Sequence, residues 1–276
     1  MKIDDNFYMK LAIDEAWKYQ FLTYPNPAVG CVIVKNGKLL VIEAHKEAGM
    51  PHAEVNALKA AYLLEYPNSI LKMKNSSQDI HTFLLENHNG YFNDCEIFVT
   101  LEPCNHIGKT PSCANLLKEL KPKRVIIAHE DINKLASGGI ETLKSVNIDV
   151  SIGCMKKEAY DLLYPFIKWS SGTFIFYKMA QTLNGCIDGT VSSKMSQLYV
   201  HTLRDKVDLM LIGGNTVRID KPTLDARYIG GRAPNIMIYS KNKIFDNNIP
   251  LFKVPNRNVI ISDDLFKLLD HKLVMV

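Results

Sequence analysis

The 276-residue chain has no apolar run approaching about 18 residues, the length that a membrane-spanning helix needs. Its acidic N-terminus, Met1-Lys2-Ile3-Asp4-Asp5, lacks the apolar stretch of a signal peptide. It also lacks a long run of Lys or Arg, and its formal net charge is only +4. These absences argue against a membrane span, secretion and nucleic acid as a partner, whereas an anionic small substrate is compatible with this charge.

Closely spaced cysteines are lacking as well. The six cysteines do not form the compact framework of a small disulfide-rich secreted protein. A reducing, cytoplasmic compartment is therefore the simplest interpretation. The six are Cys31, Cys95, Cys104, Cys113, Cys154 and Cys186.

Length and hydrophobic pattern predict two α/β domains. Domains usually span about 100–200 residues, and the 47% hydrophobic content is enough for two cores. Strands that alternate with helices predict an α/β sandwich in the first half, with its site at the carboxyl ends of the strands. Asn36-Gly37 between two apolar runs predicts a hairpin. The expected divisions are a first domain at 1–155 with a polar insertion at about 66–93, a linker at 156–172, and a second, strand-rich domain at 173–276.

Three separated segments point to a zinc site in the first domain: His52-Ala53-Glu54, Pro103-Cys104 and Cys113. One histidine and two cysteines can bind zinc and leave its fourth position to water. Such a water can have a pKa of about 7, and Glu54 is the expected carrier of its protons. The arrangement is close to the zinc-deaminase signature H-x-E…P-C-x-x-C, except that eight residues separate the cysteines here.

Simpler interpretations of each segment stay open. His-Ala-Glu alone is more often a coincidence at a helix start, and two lone cysteines can be buried thiols that pack as small hydrophobes. A structural zinc is a further alternative, with His106 as the nearby candidate for a fourth ligand.

The chain resembles the bifunctional deaminase/reductase family of riboflavin biosynthesis. The first half carries this resemblance over most of residues 6–128, through Pro25 to Val34, His45, Gly49, His52 to Val55, and the run from Thr100 to Cys113 with Gly-Lys-Thr-Pro between its cysteines. The resemblance implies a cytidine-deaminase-like three-layer α/β/α domain that removes a ring amino group from a diaminohydroxypyrimidine ribosylamino phosphate. It also implies substrate contacts from four residues: Asn26, His45, His106 and Lys109. Lys109 stands where the family usually has Arg, so the bidentate contact of a guanidinium with phosphate is replaced by the single charge of an ammonium group.

The second half resembles the reductase of the same family, which has a dihydrofolate-reductase-like α/β fold and uses NADPH to reduce the ribose to a ribityl chain. The matching residues lie in Phe174 to Gly185 and between Arg204 and Arg227. By resemblance, the substrate is held by Lys178, Arg204, Leu224 and Arg227. The cofactor is expected along Ala180, Ser193, Thr216 and Asp220.

Two departures concern the reductase half. Ser193-Lys194-Met195 is the nearest match to a Ser-x-Trp segment of the family, and no Trp is present there. The sequence ends at Val276, before the Glu-Gly-Gly-type turn that grips the cofactor phosphates in the family. We therefore expect an incomplete reductase domain, weakened NADPH binding and an exposed strand edge.

The leading hypothesis is a cytoplasmic enzyme of riboflavin biosynthesis that acts on a small phosphorylated substrate, with neither nucleic acid nor membrane as a partner. A second hypothesis keeps only the deaminase and makes the second domain non-catalytic or a platform for a homo-oligomer. A third is a zinc-stabilised binding module without catalysis.

Overall fold

The computed structural model describes residues 4–106, 110–133, 137–187, 189 and 191–276. The chain separates into two compact units, Met1–Phe166 and Ile167–Val276. The segment predicted as a linker, residues 156–172, coincides with one helix, Lys156–Ser171, and the division between the units falls inside that helix. Within the described part of the chain, no helix is both long enough and apolar enough to cross a membrane.

The first unit contains a five-stranded mixed sheet between helices. Strand β1 pairs antiparallel with both β2 and β3, and β3, β4 and β5 run parallel, in the order β2-β1-β3-β4-β5. The elements in chain order are α1 (Asp5–Trp17), β1 (Gly30–Lys35), β2 (Lys38–Ala44), α2 (Ala53–Glu65), α3 (Ser77–Asn87), β3 (Cys95–Leu101), α4 (Cys113–Leu120), β4 (Arg124–His129), α5 (Gly139–Lys144), β5 (Asp149–Ile152) and α6 (Lys156–Ser171).

The two faces of this sheet bury alternate residues, as successive side chains on a strand must point to opposite faces. Val32, Phe98 and Ile126 pack in a cluster with residues of α1, such as Ile13. Their neighbours in the strands, including Ile33 and Ile97, pack in a second cluster with residues of α2, α3, α4 and α5. The result is the expected three-layer α/β/α arrangement, and the α/β fold class is confirmed.

The predicted hairpin and insertion both have a definite structure. Asn36 and Gly37 adopt positive φ angles of 51° and 76° in the tight turn between β1 and β2. The polar segment 66–93 forms a short 3-10 helix, Ile70–Met73, and then α3. Helix α3 buries Ile80, His81 and Leu84, so the insertion contributes to the core of the first unit.

The second unit contains a five-stranded sheet whose strands all run parallel, in the order β6-β10-β7-β8-β9. Its elements are β6 (Phe174–Phe176), α7 (Lys194–Lys206), β7 (Leu209–Gly213), α8 (Gly214–Asp220), β8 (Asn235–Tyr239), β9 (Val259–Ser262) and β10 (Leu273–Met275). The last strand in the chain, β10, lies between β6 and β7 and is therefore a central strand of this sheet. Among the described residues, β6 and β9 are the sheet edges.

Two local details of this unit concern residues predicted for the reductase. Strand β6 is only three residues long, because its pairing with β10 ends at Phe176. Arg204 lies within α7.

Candidate metal centre and cavity

Three side chains of the first unit converge on one point. The Nδ1 atom of His52 lies 3.6 Å from Sγ of Cys104 and 3.5 Å from Sγ of Cys113. Tetrahedral zinc with typical bond lengths would place a nitrogen and a sulfur ligand about 3.6 Å apart. The spacing of these donors therefore fits a zinc ion. Within the described part of the chain, these three residues form the only His/Cys/Asp/Glu group that could hold a metal, and His106 is not in it.

Local structure explains why these donors meet. His52 is the N-cap residue of α2, Cys104 follows the end of β3, and Cys113 is the first residue of α4. Ser112 caps α4 by accepting a hydrogen bond from the Asn115 amide, and its hydroxyl donates to the Cys104 carbonyl at 2.9 Å. This capping serine fixes the start of the helix against the turn that carries the other sulfur.

The pKa values of the two thiols are shifted in opposite directions. Hydrogen bonds from Cys113 and His52 lower the pKa of Cys104. The hydrogen bond to Cys104 and burial raise the pKa of Cys113. A divalent cation deprotonates a coordinating thiol outright, so a bound metal would hold both sulfurs as thiolates.

Glu54 lies in the first turn of α2, the helix that His52 precedes as N-cap, and is buried, with 4% of its surface exposed. Burial raises the pKa of its carboxyl to about 7, although the nearby His52 ring acts in the opposite direction. Glu54, His52 and Cys104 line a common cavity of about 450 Å³. This volume is within the range of small-molecule sites.

Other residues predicted to bind substrate also line this cavity: Asn26, His45 and His106. Asn26 Nδ2 lies 3.1 Å from Nε2 of His45, whose Nδ1 donates to the Pro51 carbonyl at 3.1 Å. Burial lowers the pKa of His45 to about 4, so the ring is neutral and holds Asn26. Lys109 lies outside the described residues.

Sequence reasoning assigned no role to several cavity residues, among them Thr110, Asp131, Asn133 and Phe166. The Thr110 hydroxyl lies 3.4 Å from Nε2 of His52, on the side of the ring opposite the sulfurs. Asp131 follows β4, and burial raises the pKa of its carboxyl. Its place beyond the carboxyl end of a parallel strand was a usable signal. Phe166, on α6, carried no comparable signal.

The second unit has a smaller cavity of about 140 Å³, which brings Lys178 and Arg204 together with His201 and Tyr228. The His201 ring stacks on Tyr228 with 4.2 Å between centroids, and its Nε2 lies 3.5 Å from Nη1 of Arg204. The cavity is smaller than the roughly 300 Å³ of ordinary ligand sites, and is too small for NADPH.

The remaining residues predicted for the second unit lie outside the lining of this cavity. Leu224 has a positive φ of 57°, and its carbonyl accepts a hydrogen bond from Arg257. Arg227 is exposed and paired with Asp225 at 2.8 Å. The predicted cofactor residues do not meet at one described cavity: Ala180 is half-buried, Ser193 caps α7, and Thr216 and Asp220 are exposed on α8.

Two family models match the chain. Residues 2–129 match the cytidine and deoxycytidylate deaminase zinc-binding region, and residues 173–274 match the RibD C-terminal domain. The riboflavin biosynthesis protein RibD of Aquifex aeolicus is 37% identical over 237 residues, which are 83% of this chain and 59% of that protein. The RibD of Escherichia coli is 32% identical over 237 residues, or 82% of this chain and 57% of that protein. This chain thus spans somewhat more than half the length of these relatives.

Solved structures agree with the curated relatives. Acinetobacter baumannii RibD covers 98% of this chain with a TM-score of 0.69 and 26% identity, and 79% of that chain is matched. A Thermotoga maritima diaminohydroxyphosphoribosylaminopyrimidine deaminase/5-amino-6-(5-phosphoribosylamino)uracil reductase covers 98% of this chain with a TM-score of 0.66 and 26% identity, and 80% of that chain is matched.

Proposed function

Because the chain belongs to the RibD family of riboflavin biosynthesis proteins, we propose that its first unit deaminates a diaminohydroxypyrimidine ribosylamino phosphate. In this reaction, water adds to the ring carbon that bears an amino group, the carbon–nitrogen bond breaks and ammonia leaves. The observation that carries the proposal is the convergence of His52, Cys104 and Cys113 on one point, with His52, Cys104 and the buried Glu54 lining one cavity.

The residues divide the chemistry between them. His52, Cys104 and Cys113 would hold zinc, which supplies a Lewis acid that makes water acidic near neutral pH. Glu54 takes a proton from the attacking water and delivers it to the departing amine. A carboxyl with a pKa of about 7 can both accept and return a proton near neutral pH.

Substrate binding falls to the other walls of the cavity. The amide of Asn26 is held by His45 and faces the cavity, which supports its proposed contact with the base or ribose. His106 is exposed at the cavity wall, which suits a contact with a phosphate. His45 near the phosphate end, and Lys109 as a cation for that phosphate, stay predictions.

We assign the predicted reductase domain, residues 173–276 within the second unit, to the NADPH-dependent reduction of the ribose in the same family. Lys178 and Arg204 share a cavity, and a lysine beside an arginine suits a sugar phosphate. The further substrate residues Leu224 and Arg227, and the cofactor residues Ala180, Ser193, Thr216 and Asp220, are proposed by resemblance. The domain division at 1–155 and 173–276, the cytoplasmic location and a homo-oligomeric state also stay predictions.

Ammonia release tests the deaminase proposal. The zinc-loaded protein should release ammonia from the diaminohydroxypyrimidine ribosylamino phosphate and not from cytidine monophosphate, whose base and linkage differ. Metal analysis of the same sample reports the zinc content. A protein that contains zinc but releases no ammonia from any aminopyrimidine nucleotide would support the binding-module hypothesis instead.

A titration with NADPH tests the second assignment. Cofactor fluorescence should change on binding, and the Arg204→Gln variant should keep that change because Arg204 is assigned to the substrate. Unaltered fluorescence over the whole titration of the wild type would favour the hypothesis of a deaminase with a non-catalytic second unit.

A further inference from the structure

Glu102 is a buried carboxylate whose two oxygens accept three backbone hydrogen bonds. Only 6% of its surface is exposed. Its Oε2 accepts from the Asp131 amide at 3.0 Å, and its Oε1 accepts from the amides of Gly138 at 2.9 Å and Ile140 at 3.1 Å. Its own amide donates to the His129 carbonyl at 2.9 Å. One side chain therefore binds Asp131, just after β4, and also Gly138 and Ile140 at the start of α5, where Gly138 offers no side chain as a cap.

Residues just after β4 form part of the cavity wall. Asp131 and Asn133 both line the cavity that contains His52 and Glu54. Glu102 lines the same cavity and stands two positions before the proposed ligand Cys104.

The start of α5 packs against the turn that carries Cys104. A Cβ atom on Gly139 would clash with the Pro103 carbonyl oxygen, so only glycine allows this close approach. The Thr142 hydroxyl donates to Oδ1 of Asn105 at 3.1 Å. The start of α5 is thus fixed to the residues on both sides of Cys104.

We propose that Glu102 is a positioning residue of the deaminase site: it fixes the wall formed by Asp131 and Asn133 at a set distance from Cys104 and thereby determines substrate affinity. This proposal rests on the proposed deamination. Glu102 is not assigned to proton transfer, because both of its oxygens already accept hydrogen bonds from backbone amides. That role is assigned to Glu54. The carboxylate of Glu102 is suited to the task because hydrogen bonds to a charged acceptor are stronger than neutral ones.

The test compares Glu102→Gln with Glu141→Gln, which makes the same chemical change at an exposed position of α5. A glutamine side chain in place of Glu102 can accept at only one of its two terminal atoms. We expect KM for the ribosylamino phosphate to rise about tenfold in E102Q while kcat changes by less than about threefold, since binding and not the proton transfer is affected. Zinc content and the absorption spectrum of the cobalt-substituted protein should match the wild type.

Hydrogen exchange supplies the second measurement. Amides of residues 131–133 and 137–142 should exchange faster in E102Q than in the wild type, with α2 unchanged, and E141Q should behave as the wild type in every assay. A fall in kcat at unchanged KM, a loss of metal, an altered cobalt spectrum or unaltered exchange would each overturn the proposal. Failure of both Glu102→Gln and Glu102→Asp to fold would assign Glu102 to folding alone and overturn it as well. If the wild type releases no ammonia, the proposed deamination fails. The exchange data still decide whether Glu102 fixes residues 131–133 and the start of α5.

Discussion

Nδ1 of His52 lies 3.5 Å from Sγ of Cys113, although the two residues are 61 positions apart in the chain. The histidine is the N-cap of one helix and the cysteine is the first residue of another. Residues of both helices pack in one core cluster with the sheet, and the helices begin where these two side chains meet. A metal held here would therefore tie two helix starts to the end of β3.

Replacing Cys113 with Ser should abolish zinc binding. Serine does not supply the thiolate that, with Cys104 and His52, completes the donor set. Cys186→Ser is the matched control, because Cys186 is exposed and lies in the other unit. Metal analysis after purification should find zinc in the wild type and in C186S and none in C113S. A C113S protein that retains zinc would contradict the assigned ligands.

Chelation should remove the deaminase activity reversibly. Added zinc should restore ammonia release to the wild type after removal of the chelator, and should not restore it to C113S. Recovery with magnesium alone would contradict a site built from sulfur and imidazole donors.

Glu54→Gln should lower kcat for ammonia release by about 10²- to 10⁴-fold, the usual contribution of a positioned acid–base group. Glutamine has nearly the same shape and cannot carry the proton, so zinc content should stay at the wild-type level. Glu65→Gln, on an exposed position near the end of the same helix, should leave both quantities unchanged. Wild-type turnover in E54Q would exclude Glu54 as the proton carrier.

Thr110→Val should weaken zinc binding about 10- to 100-fold, as loss of an outer partner of a metal-bound histidine usually does. The variant removes the hydroxyl beside Nε2 of His52 and keeps the side-chain volume. Competition with a chromophoric chelator measures the affinity. Thr82→Val, at an exposed position of α3, is the control. Equal zinc affinities in both variants would show that the Thr110 hydroxyl does not orient the ring.

His81 predicts a pH-dependent stability difference. Its Nε2 is buried and has no hydrogen-bond partner among the described residues, and burial lowers the pKa of the ring from 6.5 to about 4. The unfolded chain therefore binds a proton at this residue near pH 6.5, before the folded chain does. The contribution of the neutral ring to the free energy of unfolding is therefore complete above pH 6.5. It is lost as the pH falls from 6.5 towards 4, because the unfolded chain then gains the proton first.

Two variants separate the effect of the unpaired nitrogen from the effect of ring titration in urea unfolding experiments. His81→Leu removes the unpaired nitrogen and should raise the free energy of unfolding at pH 7 by about 1–3 kcal/mol. Its advantage over the wild type should grow as the pH falls from 6.5 to 4, since Leu does not titrate. His81→Gln keeps buried polar atoms, so it should gain no stability at pH 7 but should flatten the same pH dependence. Plots of the free energy of unfolding against pH that run parallel for the wild type and both variants would contradict the lowered pKa of His81.

Much of the fold follows from local patterns. Asn36-Gly37 predicted the β1–β2 hairpin because both residues tolerate positive φ, and both have it. Val55 and Leu58 lie three positions apart in α2 and are both fully buried, as apolar spacing on one helix face indicates. The length of β6 has no such local signal, because it is set by pairing with β10 across about 100 residues.

The sequence by itself determined the chemistry that the first unit can perform. His52, Glu54, Cys104 and Cys113 are defined by residue type and spacing, and these are properties of the chain. The tertiary structure decided which further groups surround them. Asp131 and Phe166 reach the cavity from elements distant in sequence, and Glu102 binds amides about 30 to 40 positions away. Such contacts arise where sheet order and helix packing bring distant segments together. Residue type alone therefore does not predict them.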